Sequence, residues 1–317
     1  MMKRLPQDEK HDPAVGTLTS RPAIGKPVGT LTPRPAISTL KRRQSIQDIS
    51  AKAATSGTAG AIAMGSNVMS LMWIRSVMKY QYANGGSFVN AFKVLYKEGG
   101  IARLYRGLPF ALIQAPLCRF GDAAANTFVL TLLNDSPETE HLHVGVKTCA
   151  ATIVASGFRI VLMPLDTSMT TMQVRGSIRP LVEKVQLHGM SALFQGSMSA
   201  ASASIVGFMP WFYTYNLLSE RIQKRESVYG ELTRQGGIGF VASVVSDTMA
   251  NLFWVVKVNK QTAGSSLSYP QVVQKVTRES GLRGLLFRGL ETKILANGLQ
   301  GFLFSILWKS IEEKLGT

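Results

Sequence analysis

The fold is decided by the stretch Met163-Pro164-Leu165-Asp166-Thr167-Ser168-Met169-Thr170-Thr171-Met172-Gln173. It ends an apolar run that begins at Cys149 and contains Arg159 as its one charged residue. Pro164 removes a backbone donor and clashes with the preceding turn, so a helix that reaches it bends. Asp166 follows, and a carboxylate in a membrane helix is costly unless it faces water or a partner. The stretch therefore fits a bent membrane helix that lines a cavity, or a soluble helix that stops before an exposed Asp.

Three markers recur along the chain in one order. The first is a glutamine, spaced by 92 and 88 residues, at Gln81, Gln173 and Gln261. The second is a Leu-aromatic-(Arg or Gln)-Gly turn whose glycines, spaced by 89 and 93 residues, are Gly107, Gly196 and Gly289. The third is a short amphipathic segment that begins near residues 88, 180 and 270. Three markers at nearly one period indicate an internal triplication.

With these markers, the chain from about Lys52 to Gly316 resembles the mitochondrial carrier family. The resemblance implies an all-α membrane protein with six transmembrane helices in three pseudo-symmetric repeats, each repeat carrying a short matrix helix. The expected domains are an N-terminal tail over 1–50 and repeats over 51–135, 141–225 and 233–316. The family opens each repeat with Pro-x-acid-x-x-base, and this sequence keeps Pro-x-acid only at Pro164 and Asp166. The expected membrane helices cover about Lys52–Lys79, Gly107–Leu133, His143–Gln173, Ser197–Ile222, Gln235–Gln261 and Leu290–Lys314.

The chain is strongly basic, with a net charge of +16 although only 17% of its residues are charged. Nucleic-acid binding is the alternative for such a chain, but the bases border apolar spans and no nucleic-acid motif occurs. Basic flanks that attract acidic lipid head groups explain the pattern better, and Arg75 and Lys79 are among these bases. We therefore expect membrane lipids and a small-molecule solute as partners, and no nucleic acid.

Neither a cofactor nor a metal is expected. The two cysteines, Cys118 and Cys149, are far apart and lack metal-type spacing. The four histidines show no ligand grouping, and no nucleophile–base pair or phosphate loop occurs. An enzyme is therefore poorly supported.

The N-terminal tail is rich in Pro, Thr, Gly and Arg, and it repeats one segment, residues 15–24, as residues 28–37. Such a composition buries too little apolar surface to offset the entropy of ordering, so we expect disorder. Transit peptides avoid acidic residues, and Asp8, Glu9 and Asp12 therefore favour a retained tail over a cleaved one.

The family closes its cavity towards the matrix by pairing the acid of each odd helix with the base three residues later on the next odd helix. Aligned on the shared glutamine, the resemblance implies three pairs here, Ile74 with Met169, Asp166 with Lys257, and Trp254 with Val77. Two pairs are apolar and one is charged, which predicts a hydrophobic matrix gate held by one ion pair. Exchanging a whole buried ion pair for apolar groups is often neutral, whereas leaving one ion unpaired is costly.

A second symmetric triplet lies five residues before each kink position, at Asn67, Arg159 and Asp247. Ionisable residues inside a membrane are functional candidates, and the family places a substrate contact at this level. The alternative is an Arg159–Asp247 ion pair with a structural role. The resemblance adds Gln114, Ser204 and Asn297 as solute contacts on the even helices, and further polar residues there are Arg119, Asp122, Lys293 and Gln300. An Arg beside an Asp favours a small polar or zwitterionic solute.

The three turns each open an even helix, where free N–H groups and the helix dipole suit a phosphate. The family holds cardiolipin at these turns, which implies a lipid site at Arg106, Gly107, Gly196, Arg288 and Gly289. Plain helix capping explains any single turn equally well.

The resemblance implies a multi-pass solute transporter of the mitochondrial inner membrane, working as a monomer by alternating access to a mid-membrane site. The second hypothesis is a carrier-fold protein that does not transport and has a structural or assembly role, because two signature prolines and most gate charges are missing. A soluble helical-repeat scaffold fits poorly, because the period departs from those of known solenoids.

Overall fold

The computed structural model describes residues 65–135, 138–139, 141–264 and 267–315, without the side chains of 135, 228, 302 and 304–315. The predicted tail over 1–50 and the start of the first predicted helix lie outside the described residues. Within the described part, every regular element is helical, which agrees with the predicted all-α class.

Ten α-helices follow one another in the described part, with one 3₁₀ helix at Met190–Phe194. They are α1 (65–84), α2 (Phe88–Leu104), α3 (Leu108–Asp135), α4 (Val144–Val161), α5 (Met163–Arg175), α6 (Arg179–His188), α7 (Ser197–Arg221), α8 (Val228–Thr262), α9 (Tyr269–Phe287) and α10 (Leu290–Leu315). The ends of α3, α7 and α10 lie within two residues of the predicted ones. Helix α8 begins earlier than predicted, and α1 continues past Lys79 to residue 84.

The third predicted helix is interrupted at Pro164. Helix α4 ends at Val161, Leu162 leaves the helical register with ψ near 0°, and α5 begins at Met163 with Pro164 in its first turn. A proline is tolerated there because the first turn of a helix has no partner for its N–H groups. The break turns the chain so that Asp166, which is 7% exposed, lies inside the protein. The alternative in which Asp166 is exposed after a helix stop is therefore wrong.

The amphipathic part of each short helix ends at a glycine with positive φ. Helices α2 and α9 continue beyond a kink at Gly100 (62°) and Gly281 (65°), and α6 stops before Gly189 (73°). Such a backbone is strained for residues with a Cβ. Ser87 caps α2, and Ser268 with Gln271 forms a capping box on α9. These signals explain why an amphipathic helix begins and ends at the same place in each third of the chain.

The glycine of each Leu-aromatic-x-Gly turn lies against the backbone of a neighbouring helix. A Cβ added to Gly107, Gly196 or Gly289 would stand 3.1–3.2 Å from the carbonyl oxygens of Met169, Lys257 and Met78, respectively. The φ angles are 89°, 87° and 67°. The close approach and the positive φ both require glycine, so these turns fix where α3, α7 and α10 begin beside α5, α8 and α1.

Side chains from neighbouring segments cap the ends of α1, α5 and α8. Arg103 is 1% exposed and donates to the carbonyls of Gln173 (2.8 Å) and Val174 (2.9 Å). Lys184 donates to the carbonyl of Lys260 at 3.1 Å, and Asn259 to that of Tyr82 at 2.8 Å. Cations at a helix C-terminus satisfy its last carbonyls and oppose its dipole.

Three segments of the described part are long and apolar enough to cross a membrane, and they are Val144–Val161, Met190–Arg221 and Tyr229–Thr262. Large apolar side chains on the bundle face outwards, among them Phe120 (69% exposed) and Tyr213 (70%). An outer surface of this kind suits lipid rather than water.

Candidate functional site

A cavity of about 800 Å³ lies between α1, α3, α4, α7, α8 and α10. The charged residues among its lining are Arg75, Arg119, Asp122, Arg159, Asp247 and Lys293. Polar and aromatic side chains complete it, including Asn126, Ser204, Trp211, Ser243, Trp254, Asn297 and Gln300. Its size is within the usual range for small-molecule sites.

Two ion pairs lie in the wall of the cavity. Arg159 on α4 binds Asp122 on α3 at 2.8 Å, and Lys293 on α10 binds Asp247 on α8 at 2.9 Å. The alternative prediction of an Arg159–Asp247 pair is wrong, because Arg159 pairs with α3 and Asp247 pairs with α10. Of the polar residues noted earlier, Asp122 and Lys293 are therefore the partners.

The solute contacts predicted on α7 and α10 support these ion pairs. Ser204 Oγ accepts a hydrogen bond from Arg159 Nη1 at 3.2 Å, and Asn297 Nδ2 donates to Asp247 Oδ2. Both residues line the cavity. They hold the two charged pairs in place at the cavity wall.

Two predicted solute contacts lie elsewhere. Asn67 is half-buried on α1 and does not belong to the described lining of the cavity. Gln114 is turned towards the first turn of α5, where its Nε2 donates to Asp166 Oδ1 at 3.1 Å. The prediction placed both residues by sequence offset alone, and one residue of error turns a helical side chain by about 100°.

Asp166 is the centre of a buried polar cluster below the cavity. Lys257 Nζ lies 2.7 Å from Asp166 Oδ2, so the structure brings together the charged pair that the sequence indicated. Gln261 Nε2 donates to the same oxygen at 2.8 Å. Asp166 and Lys257 are only 7% and 5% exposed. A buried pair needs such additional hydrogen bonds to offset its desolvation.

A second lysine, which sequence reasoning missed, joins this cluster. Lys79 Nζ lies 3.9 Å from Asp166 Oδ1 and donates to Thr170 Oγ1 at 2.6 Å. One carboxylate therefore faces two ammonium groups. The spacing of Arg75 and Lys79 could have predicted that Lys79 faces the interior, because residues four apart lie on the same face of a helix and Arg75 lines the cavity. Sequence reasoning assigned both to the basic flank instead.

Comparison with known proteins matches residues 47–136 and 230–317 to the family described as Mitochondrial carrier protein. Together these segments cover more than half of the chain. The chain belongs to the mitochondrial carrier family. A similar protein is "Mitochondrial substrate carrier family protein S" of Dictyostelium discoideum, 23% identical over 230 residues, which are 65% of this chain and 78% of the relative.

This carrier does not form the predicted apolar pair of Ile74 with Met169. Ile74 is fully buried in a cluster with Leu71 and Ala296, whereas Met169 packs against a separate cluster that includes Met72. The prediction assumed that Ile74 occupies on α1 the place of Asp166 on α5.

The second apolar pair is also displaced. Val77 packs with Leu95 and Leu104, on the side of α1 that faces α2. Trp254 packs, together with Met78, against a different cluster. The register of α1 is therefore one residue later than predicted.

Two matching hydrogen bonds establish that register. Ser76 Oγ donates to the carbonyl of Leu104, and Thr167 Oγ1 donates to that of Leu193, the same position in the next turn motif. Position 76 thus corresponds to 167, and Arg75 stands where Asp166 stands on α5. The turn glycines give the same register, because Gly289 abuts Met78 as Gly107 abuts Met169.

Trp254 connects the cavity with the Asp166 cluster of the carrier. The ammonium of Lys257 lies 4.9 Å from the centre of its ring and that of Lys293 lies 4.8 Å from it. Cation–π contacts of this kind stabilise a cation in a partly desolvated place. Trp254 therefore contacts the lysine of the Asp166–Lys257 pair and the lysine of the Asp247–Lys293 pair.

The turn arginines predicted to assist lipid binding make internal contacts. Arg106 donates to the carbonyl of Gly176 at 2.5 Å and remains exposed. The Arg288 side chain is only 4% exposed and pairs with Glu279 at 3.2 Å. Of the two, Arg106 is the one whose guanidinium is open to the surface.

Proposed function

We propose that this carrier moves a small polar solute across the mitochondrial inner membrane by alternating access to the cavity. Membership of the mitochondrial carrier family and the polar lining of the cavity support this proposal. Transporters of many folds bind their solutes near the middle of the membrane between structural repeats.

The observation that carries the proposal is the buried pair of Asp166 and Lys257 beneath the cavity, 2.7 Å apart. Neither residue belongs to the described lining of the cavity, but Trp254, which does, contacts Lys257. A charged pair is suited to a gate that opens. When the helices separate into water, both ions rehydrate and recover much of the desolvation cost, whereas a purely apolar plug would expose apolar surface.

The architecture in this proposal has six membrane helices in three repeats. The spans are α1, α3, α4 continued by α5, α7, α8 and α10, with α2, α6 and α9 as matrix helices. Recurrence of the glycine-to-carbonyl contact at Gly107, Gly196 and Gly289 supports a threefold arrangement. The carrier is proposed to be a monomer with cardiolipin phosphates at these turns, because free N–H groups at helix starts favour anions.

Uptake by reconstituted protein tests this function. The purified full chain, inserted into liposomes that contain cardiolipin, is assayed with labelled dicarboxylates, phosphate, amino acids, nucleotides and polyamines. Protein-free liposomes and the Asp166→Lys variant, which places a third cation beside Lys79 and Lys257, serve as controls. We expect saturable uptake of one solute class by the wild-type protein only. Failure of every solute in the panel would instead favour a structural or assembly role.

A further inference from the structure

The charges around the cavity are not balanced. Four cations and two carboxylates occur in the described lining. Asp122 and Asp247 each bind a cation of their own, at 2.8 and 2.9 Å. Arg75 and Arg119 remain without a carboxylate, so the cavity carries two positive charges that no described side chain neutralises.

Arg75 on α1 is held by an amide from α10. Its Nη2 donates to Gln300 Oε1 at 3.2 Å. Because a guanidinium only donates, it fixes the amide oxygen of Gln300 towards itself and leaves the NH₂ group of Gln300 free to donate elsewhere. This corner of the cavity therefore presents donors to the solute.

Arg119 on α3 is exposed to the cavity and makes no ion pair with the described residues. Arg75 lines the same cavity and carries the same sign of charge. Two like charges between low-dielectric helix walls repel each other, and they concentrate the field on the space between them. Binding an anion there would relieve the repulsion.

We propose that Arg75, Arg119 and the Gln300 amide bind an anionic solute that presents carboxylate or phosphate oxygens and carries one or two negative charges. This rests on the proposed transport function and replaces the zwitterion expected from the sequence, since Arg159 and Asp247 are already paired. Arginine suits carboxylate and phosphate because its planar donors bind two oxygens at once. The two ion pairs flank this site as neutral walls.

Thermal stability of the purified full chain in detergent tests the proposal without requiring transport. The ligands are succinate, inorganic phosphate, a neutral diamide of similar size, glycine and putrescine, with sodium chloride at matched ionic strength. A ligand that binds the folded state raises the midpoint by an amount that grows with the ligand concentration relative to its Kd. Comparing succinate with phosphate identifies the kind of anion.

We expect succinate, phosphate or both to raise the thermal midpoint of the wild-type protein. The diamide, glycine and putrescine should raise it no more than sodium chloride does. Arg75→Gln and Arg119→Gln should each weaken the apparent affinity roughly tenfold or more, because each removes a charge-assisted contact. Arg119→Lys should retain part of it. The matched control is Arg278→Gln, an exposed arginine on α9, which should bind as the wild type does.

The proposal is overturned if the anions raise the midpoint of Arg119→Gln as much as that of the wild type. It is also overturned if glycine or putrescine raises the wild-type midpoint more than either anion does. If the protein transports a cation and its transport is unaffected by Arg75→Gln and Arg119→Gln, the transport function holds and the anion site is contradicted. One that binds an anion through Arg75 and Arg119 but transports nothing would retain the site and lose the function.

Discussion

Asp166 on α5 and Lys257 on α8 form an ion pair of 2.7 Å that excludes nearly all solvent. Their partners are unequal. Asp166 also receives Gln114 and Gln261 and lies 3.9 Å from Lys79, whereas it is the only carboxylate bound to Lys257 in the described part of the chain. The Asp166 carboxylate thus connects α5 to α1 through Lys79 and to α8 through Lys257.

This asymmetry predicts that Asp166→Asn is more destabilising than Lys257→Met. Removing the carboxylate leaves two buried ammonium groups unpaired, at a cost of about 3–5 kcal/mol. Removing Lys257 leaves Asp166 with Lys79 and two amides, at a cost on the order of 1–2 kcal/mol. Unfolding by titration with a denaturing detergent measures both.

Lys275→Met is the control, since this surface lysine pairs with Glu279 at 3.9 Å while half exposed and should change stability little. Equal destabilisation by Asp166→Asn and Lys257→Met would mean that Lys79 and the two amides do not stabilise the Asp166 carboxylate.

The carboxylate and its lysine could be predicted from the sequence because the second repeat keeps Pro-x-Asp and Lys257 occupies the matching position. The first repeat could not be placed in the same way. Gln81 aligned α1 one residue too early, and nothing local corrected it because the proline that sets the helix phase on α5 is absent from α1. Only the contacts of Ser76 and Gly289 reveal the true register.

The cavity charges were predicted in part. Arg159 and Asp247 were identified as polar residues in apolar helices, but which partner each chooses depends on the side chains that neighbouring helices present, and a single sequence does not encode this directly. Arg75 and Lys79 were missed for a related reason. A basic residue near a helix end looks like a lipid-facing flank until packing shows which way its face turns.

The glycine at the start of α7 should not tolerate a side chain. Gly196 has φ +87°, and a Cβ there would stand 3.1 Å from the carbonyl of Lys257. Gly196→Ala should cost about 1–3 kcal/mol from backbone strain alone. It should also displace Lys257 of the proposed gate, so we expect a lower uptake rate as well as a lower thermal midpoint.

Gly157→Ala provides the matched comparison, because Gly157 lies within α4 with open space around its Cα. Alanine favours a helix interior over glycine, so this variant should be neutral or more stable by up to about 1 kcal/mol. If the two alanine variants behave alike, the close approach at Gly196 has no energetic weight.

The stability of the carrier should depend on pH through Lys184 on α6. Burial first, and then the charges of Lys260 and Arg175, lower the pKa of Lys184 to about 8. The unfolded value is about 10.4. Between these values the unfolded chain binds more protons than the folded one, so stability rises with pH from about 8 to about 10 and is independent of this group outside that range.

Thermal midpoints of the wild type and Lys184→Met at pH 7, 8, 9 and 10 measure this effect. The wild type should gain on the variant as pH rises above about 8, by about 1–2 kcal/mol once solvent screening is included. A constant difference between the two proteins across this range would show that Lys184 has an ordinary pKa.

The central claim is that the polar cluster at Asp166 closes the cavity, and uptake by charge-reversed variants tests it most directly. Because Lys79 lies beside Asp166, reversing the pair alone should place two lysines together and restore uptake only in part. We expect Asp166→Lys and Lys257→Asp each to abolish uptake of the transported solute into liposomes, and Asp166→Lys with Lys257→Asp and Lys79→Glu to restore it. A folded triple variant that transports no better than the single ones would contradict the account.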